Sequence, residues 1–278
     1  MRQLILGGAQ FADSYGKFIP ITKLPLEKLE TLLQHSLEYG IQEIDLALNY
    51  LNADKNLAST RVAKSFSYST KFSYQMGKEG EIIDLLLSQR ELIGIESFST
   101  IFVHNWFELS YRDQEAAKSL LEILVNMNLA SKVGISVYEV DELENIESGI
   151  TVIQAPLSFI NRQFLSSEKA KSLNSVGVKF QARSIFHQGL LLNPSQEILE
   201  KFPEIQNFFE YCALNNLSFL QAALGVFDSQ NLFSSLLIGT THVNQIKQIV
   251  DTPILISDIL ERSSYLNFSA DFSDPRRW

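Results

Sequence analysis

Short apolar or β-rich runs alternate with helical patterns eight times along this chain, and few architectures accept that order. Leu4-Ile5-Leu6-Gly7-Gly8 reads as a strand. A helix over 26–39 follows, with Leu29, Leu32, Leu33 and Leu37 on one face and Gly40 to stop it. Period and breakers then predict strands over 43–46, 68–72, 100–104, 132–136, 152–155, 178–182 and 236–239. Between them lie helices over 53–64, 81–92, 114–129, 140–146, 167–174, 203–215 and 219–227, and a last one over 243–250 introduced by Thr241 and His242. Strict βα alternation implies a parallel sheet, and eight units imply closure. The expected fold class is therefore α/β, a single-domain (β/α)8 barrel of the TIM type spanning 1–278, with 257–278 as an appended tail. An open doubly wound sheet is the rival. It would place Gly-x-Gly-x-x-Gly after its first strand, where this chain has Gly7-Gly8-Ala9-Gln10-Phe11.

Composition narrows the function classes. A hydrophobic share of 45% supplies a core for all 278 residues, and no linker-like shift divides them. The net charge of −9 disfavours nonspecific binding to nucleic acid or an anionic membrane. The lone Cys212 excludes an internal disulfide, no Cys/His metal spacing exists, and Cys212 reads as a small buried apolar residue in a helix. No apolar stretch approaches ~18 residues and no signal-like segment opens the chain, so the expected setting is cytoplasmic.

In a parallel barrel the strand ends meet at one face. Asp45, Lys71 and His104 each close a short run, and Tyr50 follows Asp45 by five positions. A carbonyl that accepts hydride becomes an alkoxide and needs a proton from a nearby acid. A free phenol has a pKa near ~10, an ammonium beside it favours the phenolate, and a carboxylate holds that ammonium in place. An imidazole next to the phenol can orient the carbonyl oxygen. The four residues contain each part once. Each also has a structural reading, as ion pair, rim tyrosine or strand-end histidine. Their joint placement favours chemistry. His187 and His242 read as loop residues, and Glu139, Asp141, Glu142, Glu144 and Glu147 as a solvated helix face.

Taken in order, Asp45-Leu46-Ala47-Leu48-Asn49-Tyr50, Ser69-Thr70-Lys71 and Val103-His104-Asn105-Trp106 resemble the aldo-keto reductase pattern after barrel strands 2, 3 and 4. Leu6-Gly7-Gly8-Ala9-Gln10-Phe11 is similar to the family's first strand, and Lys132-Val133-Gly134-Ile135-Ser136 to its fifth. The resemblance runs from about residue 3 to 250. It implies NAD(P)H-dependent carbonyl reduction, with NADP as cofactor and NAD as the alternative. Tyr50 would be the acid, Lys71 and Asp45 its tuning pair, and His104 the substrate-orienting group. Ser136 and Gln154 align with positions that hold the nicotinamide carboxamide, and Ser184, with Gly189 nearby, with the loop over the pyrophosphate. Gly239, Thr240 and Thr241 align with the grip on the adenosine phosphate at a helix N-terminus. Gly8 is grouped with these cofactor residues.

Three positions depart from the pattern. Val137 stands where many members carry Asn. Arg183 stands where many carry an aromatic ring on the nicotinamide; its planar guanidinium could cover a ring, though a cationic oxidised ring would repel it. Gln245 falls near an Arg used for the 2′-phosphate, with Lys247 on another face. Phe11, Tyr15, Trp106, Phe107 and Phe186 are expected at the mouth, and the short chain after the eighth unit implies an open one. The expected partner is a small-molecule carbonyl compound, polar and sugar-like, with no nucleic acid and no membrane. A cofactor-binding regulatory or sensing subunit is the second reading. A barrel lyase or isomerase would want a substrate-phosphate site that is not found.

Overall fold

A computed structural model describes residues 2–15, 21–146, 148–194, 196–254 and 259–277. Eight parallel strands close into a barrel, each hydrogen-bonded to its neighbours in chain order: β1 Leu4–Gly7, β2 Glu43–Asp45, β3 Ser67–Phe72, β4 Phe98–Val103, β5 Ala130–Ser136, β6 Val152–Pro156, β7 Lys179–Arg183 and β8 Phe233–Ile238. β1 pairs with β8 through Leu4 and Leu236 and with β2 through Gly7 and Asp45, which completes the ring. The chain is thus a single-domain (β/α)8 barrel, as its alternation predicts.

The helices dock by the periodicity seen in the sequence. α1 (Leu26–Glu38) buries Leu29, Leu32 and Leu33, and Gly40, at φ 77°, turns the chain away after it. α2 (Ala53–Ala58) and α3 (Glu79–Ile93) precede α4 (Tyr111–Asn126), whose first turn is capped by the Ser110 hydroxyl accepting from the Asp113 N–H. α5 (Glu168–Ser175) and α6 (Ile205–Leu214) follow, then α7 (Phe219–Asp228), which is buried from Ala222 to Phe227. The helix α8 (Val243–Asp251) sets Ile246 and Ile249 inward. Among the described residues no helix is long and apolar enough to cross a membrane.

Three local expectations need correction. The helix expected over 53–64 ends at Ala58 and resumes as a 3-10 turn, Ala63–Ser65. The Ser59 and Thr60 hydroxyls donate to the carbonyls of Lys55 and Leu57, competing with the backbone for the acceptors that would continue it. The segment over 140–146 is a 3-10 turn, Val140–Leu143, because the Glu142 carboxylate accepts the Tyr138 and Glu139 N–H groups and tightens it. Its acidic run is therefore more than a solvated face: burial raises the Glu142 pKa, and Glu139 pairs with Arg276. Glu147 lies outside the described residues.

The tail folds back onto the barrel. Its expected start at Ser257 and its final Trp278 lie outside the described residues. Between them are the short helices Ile259–Arg262 and Ala270–Ser273 and a 3-10 turn, Pro275–Arg277. The Arg162 guanidinium clips this return by donating to the Ser263 hydroxyl and to the carbonyls of Ser263 and Leu266.

Candidate active site

Register brings Asp45 and Lys71 together. Asp45, at the end of β2, pairs with Ser69 of β3, and Lys71 lies two residues further on the same face of that strand. Both charged side chains are buried, and the Lys71 ammonium is in direct contact with Asp45 Oδ2. Asp45 Oδ1 also accepts from the Ser69 hydroxyl at 3.2 Å and from Gln154 Nε2 of β6 at 3.2 Å. Gln154 Nε2 further reaches Gln181 Oε1 at 3.3 Å, so the amide expected to hold a ligand carboxamide also braces the carboxylate. Burial pushes the Lys71 pKa down, and the charge and hydrogen bond of Asp45 oppose that shift.

Tyr50 stands on the β2–α2 connection, which is stitched to β3 by the Leu48 N–H donating to the Lys71 carbonyl at 2.8 Å. The Lys71 ammonium lies 5.9 Å from the centre of the Tyr50 ring. His104 follows β4 directly, its N–H held by the Phe72 carbonyl at 2.7 Å. Burial, with the charges of Lys71 and Arg183, pushes the His104 pKa down to about 3. Its imidazole is therefore neutral at ordinary pH, with one nitrogen to donate and one to accept.

These four residues line one cavity of about 340 Å³ at the C-terminal mouth of the barrel. Of the other residues singled out in the sequence, Ser136, Gln154, Arg183, Ser184, Gly189, Gly239 and Thr241 line it too. Gly8 does not; a Cβ there would meet Leu46 Cδ2 at 2.5 Å and the Asp45 carbonyl at 2.8 Å, so its place is packing against β2. Thr240 and Gln245 sit at the start of α8. Gln245 Oε1 accepts from the Thr241 N–H at 2.9 Å, the His242 N–H at 3.2 Å and the Thr240 hydroxyl at 2.9 Å. The helix end expected to meet a phosphate is thus capped by its own side chain. Lys247 pairs with Asp251 on the exposed face.

A second cavity of about 870 Å³, lined by Gln245 and Lys247 among others, shares Phe186, Leu192 and Gly239 with the first. The two therefore adjoin, one holding His104 and the other reaching the start of α8. Between them a Cβ on Gly239 would lie 2.7 Å from Gln10 Nε2, so a larger residue there would have to push the Gln10 side chain aside. The loop after β7 borders the first cavity with Ser184, His187 and Gln188 in left-handed backbone, at φ 65°, 50° and 55°. Such angles persist in non-glycine residues only where the surroundings hold them. His187 is buried, and its Nε2 lies 2.8 Å from the carbonyl of Phe272 in the tail.

The mouth differs from the sequence expectation. Phe11 and Trp106 are fully buried, and the Trp106 indole donates to the Glu142 carbonyl, so neither faces a ligand. The side chain of Tyr15 and residue Gly16 are not described. Phe186 does line the cavity. The tail also reaches the rim, where the Arg276 guanidinium lies 4.0 Å from the Tyr138 ring centre and 4.8 Å from that of Phe107. Tyr138 and Gln10 line the cavity too, though the sequence motifs assign neither a role there. Tyr138 stands two places after Ser136, a same-face spacing that was available as a signal.

A parallel barrel that gathers a carboxylate-paired lysine, a phenol and a neutral imidazole at its C-terminal mouth belongs to the class of α/β barrels that carry a polar site at the strand ends. The family model for the aldo/keto reductase family matches residues 3–254. This chain belongs to that family, and so is an oxidoreductase acting on carbonyl compounds. No curated protein matches it. Among solved structures, two described provisionally as aldo-keto reductases from Pseudomonas aeruginosa superpose with a TM-score of 0.67 each, at 14% and 13% identity. The alignments cover 93% of this chain and 90% of those chains, and at such identity the likeness concerns the fold.

Proposed function

We propose that the protein reduces an aldehyde or ketone to an alcohol with NAD(P)H, Tyr50 supplying the proton. The observation that carries this reading is the buried Asp45–Lys71 pair beside Tyr50, in a cavity that His104 shares and that adjoins a second one at α8. When bound, the reduced nicotinamide supplies hydride to the carbonyl carbon. The residues of the chain do the rest. The neutral His104 directs a hydrogen bond at the carbonyl oxygen, and the Tyr50 hydroxyl donates its proton to that oxygen as charge develops. Lys71, fixed by Asp45, favours the phenolate left behind.

The residues of the two cavities suit a dinucleotide in kind. In this reading, among the residues lining the cavity, Ser136 and Gln154 hold the carboxamide, Ser184 and Gly189 border the pyrophosphate, and Gly239 with Thr241 flanks the adenosine end. NADP is the leading choice with NAD open, since Gln245 offers no charge to a 2′-phosphate. The polar groups that share the cavity with its apolar wall, Tyr50, His104, Ser136 and Gln154 among them, suit a small polar, sugar-like carbonyl compound. The lone buried Cys212 suits a reducing, cytoplasmic setting.

The test is Tyr50→Phe. Carbonyl reduction should fall roughly 10²–10⁴-fold, with cofactor affinity within a few-fold of wild type. Near-full turnover would remove Tyr50 from this role. Cofactor binding by the wild type without turnover on any of a panel of aldehydes would instead make the protein a sensing subunit.

A further inference from the structure

Arg183 is a cation that no carboxylate among the described residues answers: none lies within ion-pair distance of it. Its Nη2 donates to the Val137 carbonyl at 2.9 Å, its guanidinium lies 4.1 Å from the centre of the Tyr138 ring, and its Nε is buried with no acceptor. The opposite partner on Tyr138 is a second cation, Arg276, which Asp274 and Glu139 neutralise. Asp45, the carboxylate of the cavity, is already taken by Lys71, Ser69 and Gln154. With His104 neutral, the cavity is left with the charge of Arg183 in excess. That charge is felt across the barrel, since it helps to depress both His104 and Lys71.

We propose that Arg183 makes the cavity select the oxidation state of its nicotinamide cofactor, holding the neutral reduced ring in preference to the cationic oxidised ring. The inference rests on the cofactor reading above. In a ring of eight strands β3 and β7 stand opposite each other, and Lys71 and Arg183 at their ends line the same cavity. A hydride can reach a carbonyl held by Tyr50 and His104 only if the nicotinamide lies between those walls. The reduced and oxidised cofactors differ there by one unit of positive charge. Two cations about 5 Å apart, at an effective dielectric of about 20, repel enough for a discrimination of roughly a hundredfold, and solvent at the mouth lowers this toward tenfold. The oxidised cofactor then leaves more readily after each carbonyl reduction.

The experiment is calorimetric titration of the intact protein with NADPH, NADP⁺, NADH and NAD⁺. Wild type should bind the reduced member of its preferred pair at least tenfold more tightly than the oxidised one. Arg183→Met and Arg183→Gln, two neutral replacements in case one fails to fold, should bring that ratio toward one, chiefly by tightening the oxidised form. Arg183→Lys should keep most of it. A wild-type ratio near one, or a ratio unchanged in the neutral variants, overturns the inference while leaving the cofactor reading intact. If none of the four ligands binds, the cofactor reading fails and this inference with it.

Discussion

Burying Lys71 against Asp45 makes the charge of each depend on the other. Breaking such a pair from one side leaves an uncompensated buried charge, which costs about 3–5 kcal/mol. If Asp45 serves only to hold the ammonium, Asp45→Asn combined with Lys71→Met should reduce turnover barely more than Lys71→Met alone. Steady-state kinetics of the two singles and the double decide this; multiplicative losses would mean that the residues act separately. The four polar residues of the mouth were legible because each closes or follows a short apolar run, where a parallel barrel leaves side chains at one face. Gln245 was not legible in the same way. Its position was, but an amide at a helix start can cap its own helix or meet a ligand, and residue identity does not decide between them.

Elements packed by a clear period were readable, and those governed by side-chain bonds to the backbone were not. The leucines of α1 announce its buried face, whereas the end of α2 depends on two hydroxyls that capture helix carbonyls. The start of α8 is of the second kind, and it bears on cofactor choice. A 2′-phosphate arriving there must displace Gln245 Oε1 from the Thr241 and His242 N–H groups and the Thr240 hydroxyl. What it gains is hydrogen bonds and a dipole worth about 0.3–1 kcal/mol at an exposed site. Preference for NADPH over NADH should therefore be modest, within roughly a hundredfold at ~1.4 kcal/mol per decade. Gln245→Arg should move it toward NADPH, because a guanidinium can meet the phosphate with charge and two hydrogen bonds. The ratio of dissociation constants for the two reduced cofactors measures both. A wild-type preference of several thousandfold would place the 2′-phosphate contacts elsewhere. Gln245→Ala should also lower thermal stability by about 0.5–2 kcal/mol through the lost cap.

Across the whole molecule, the tail and the strained loop after β7 hold each other. Little in the sequence signals this, because the docking of Phe272 depends on a surface assembled from distant segments and on no local period. Phe272 stacks on Phe202 with ring centres 4.9 Å apart, meets the His187 ring edge-on at 5.3 Å, and offers its carbonyl to His187 Nε2. Burial pushes the His187 pKa down from 6.5 to about 4, although the Phe272 carbonyl and Asp274 oppose the shift. A lowered folded-state value means that the unfolded chain binds the proton first. The contribution is fully present above pH 6.5 and is lost as pH falls toward 4, with an upper bound of about 3 kcal/mol. His104 adds to the same acid limb, its pKa being depressed to about 3. His187→Asn isolates the first histidine, since asparagine does not titrate and tolerates the left-handed backbone at φ 50°. Denaturant unfolding of wild type and variant at steps between pH 7 and pH 4 should show a shallower fall in stability for the variant, by close to one proton. Parallel curves would mean that His187 titrates normally and that the joint between loop and tail opens to water.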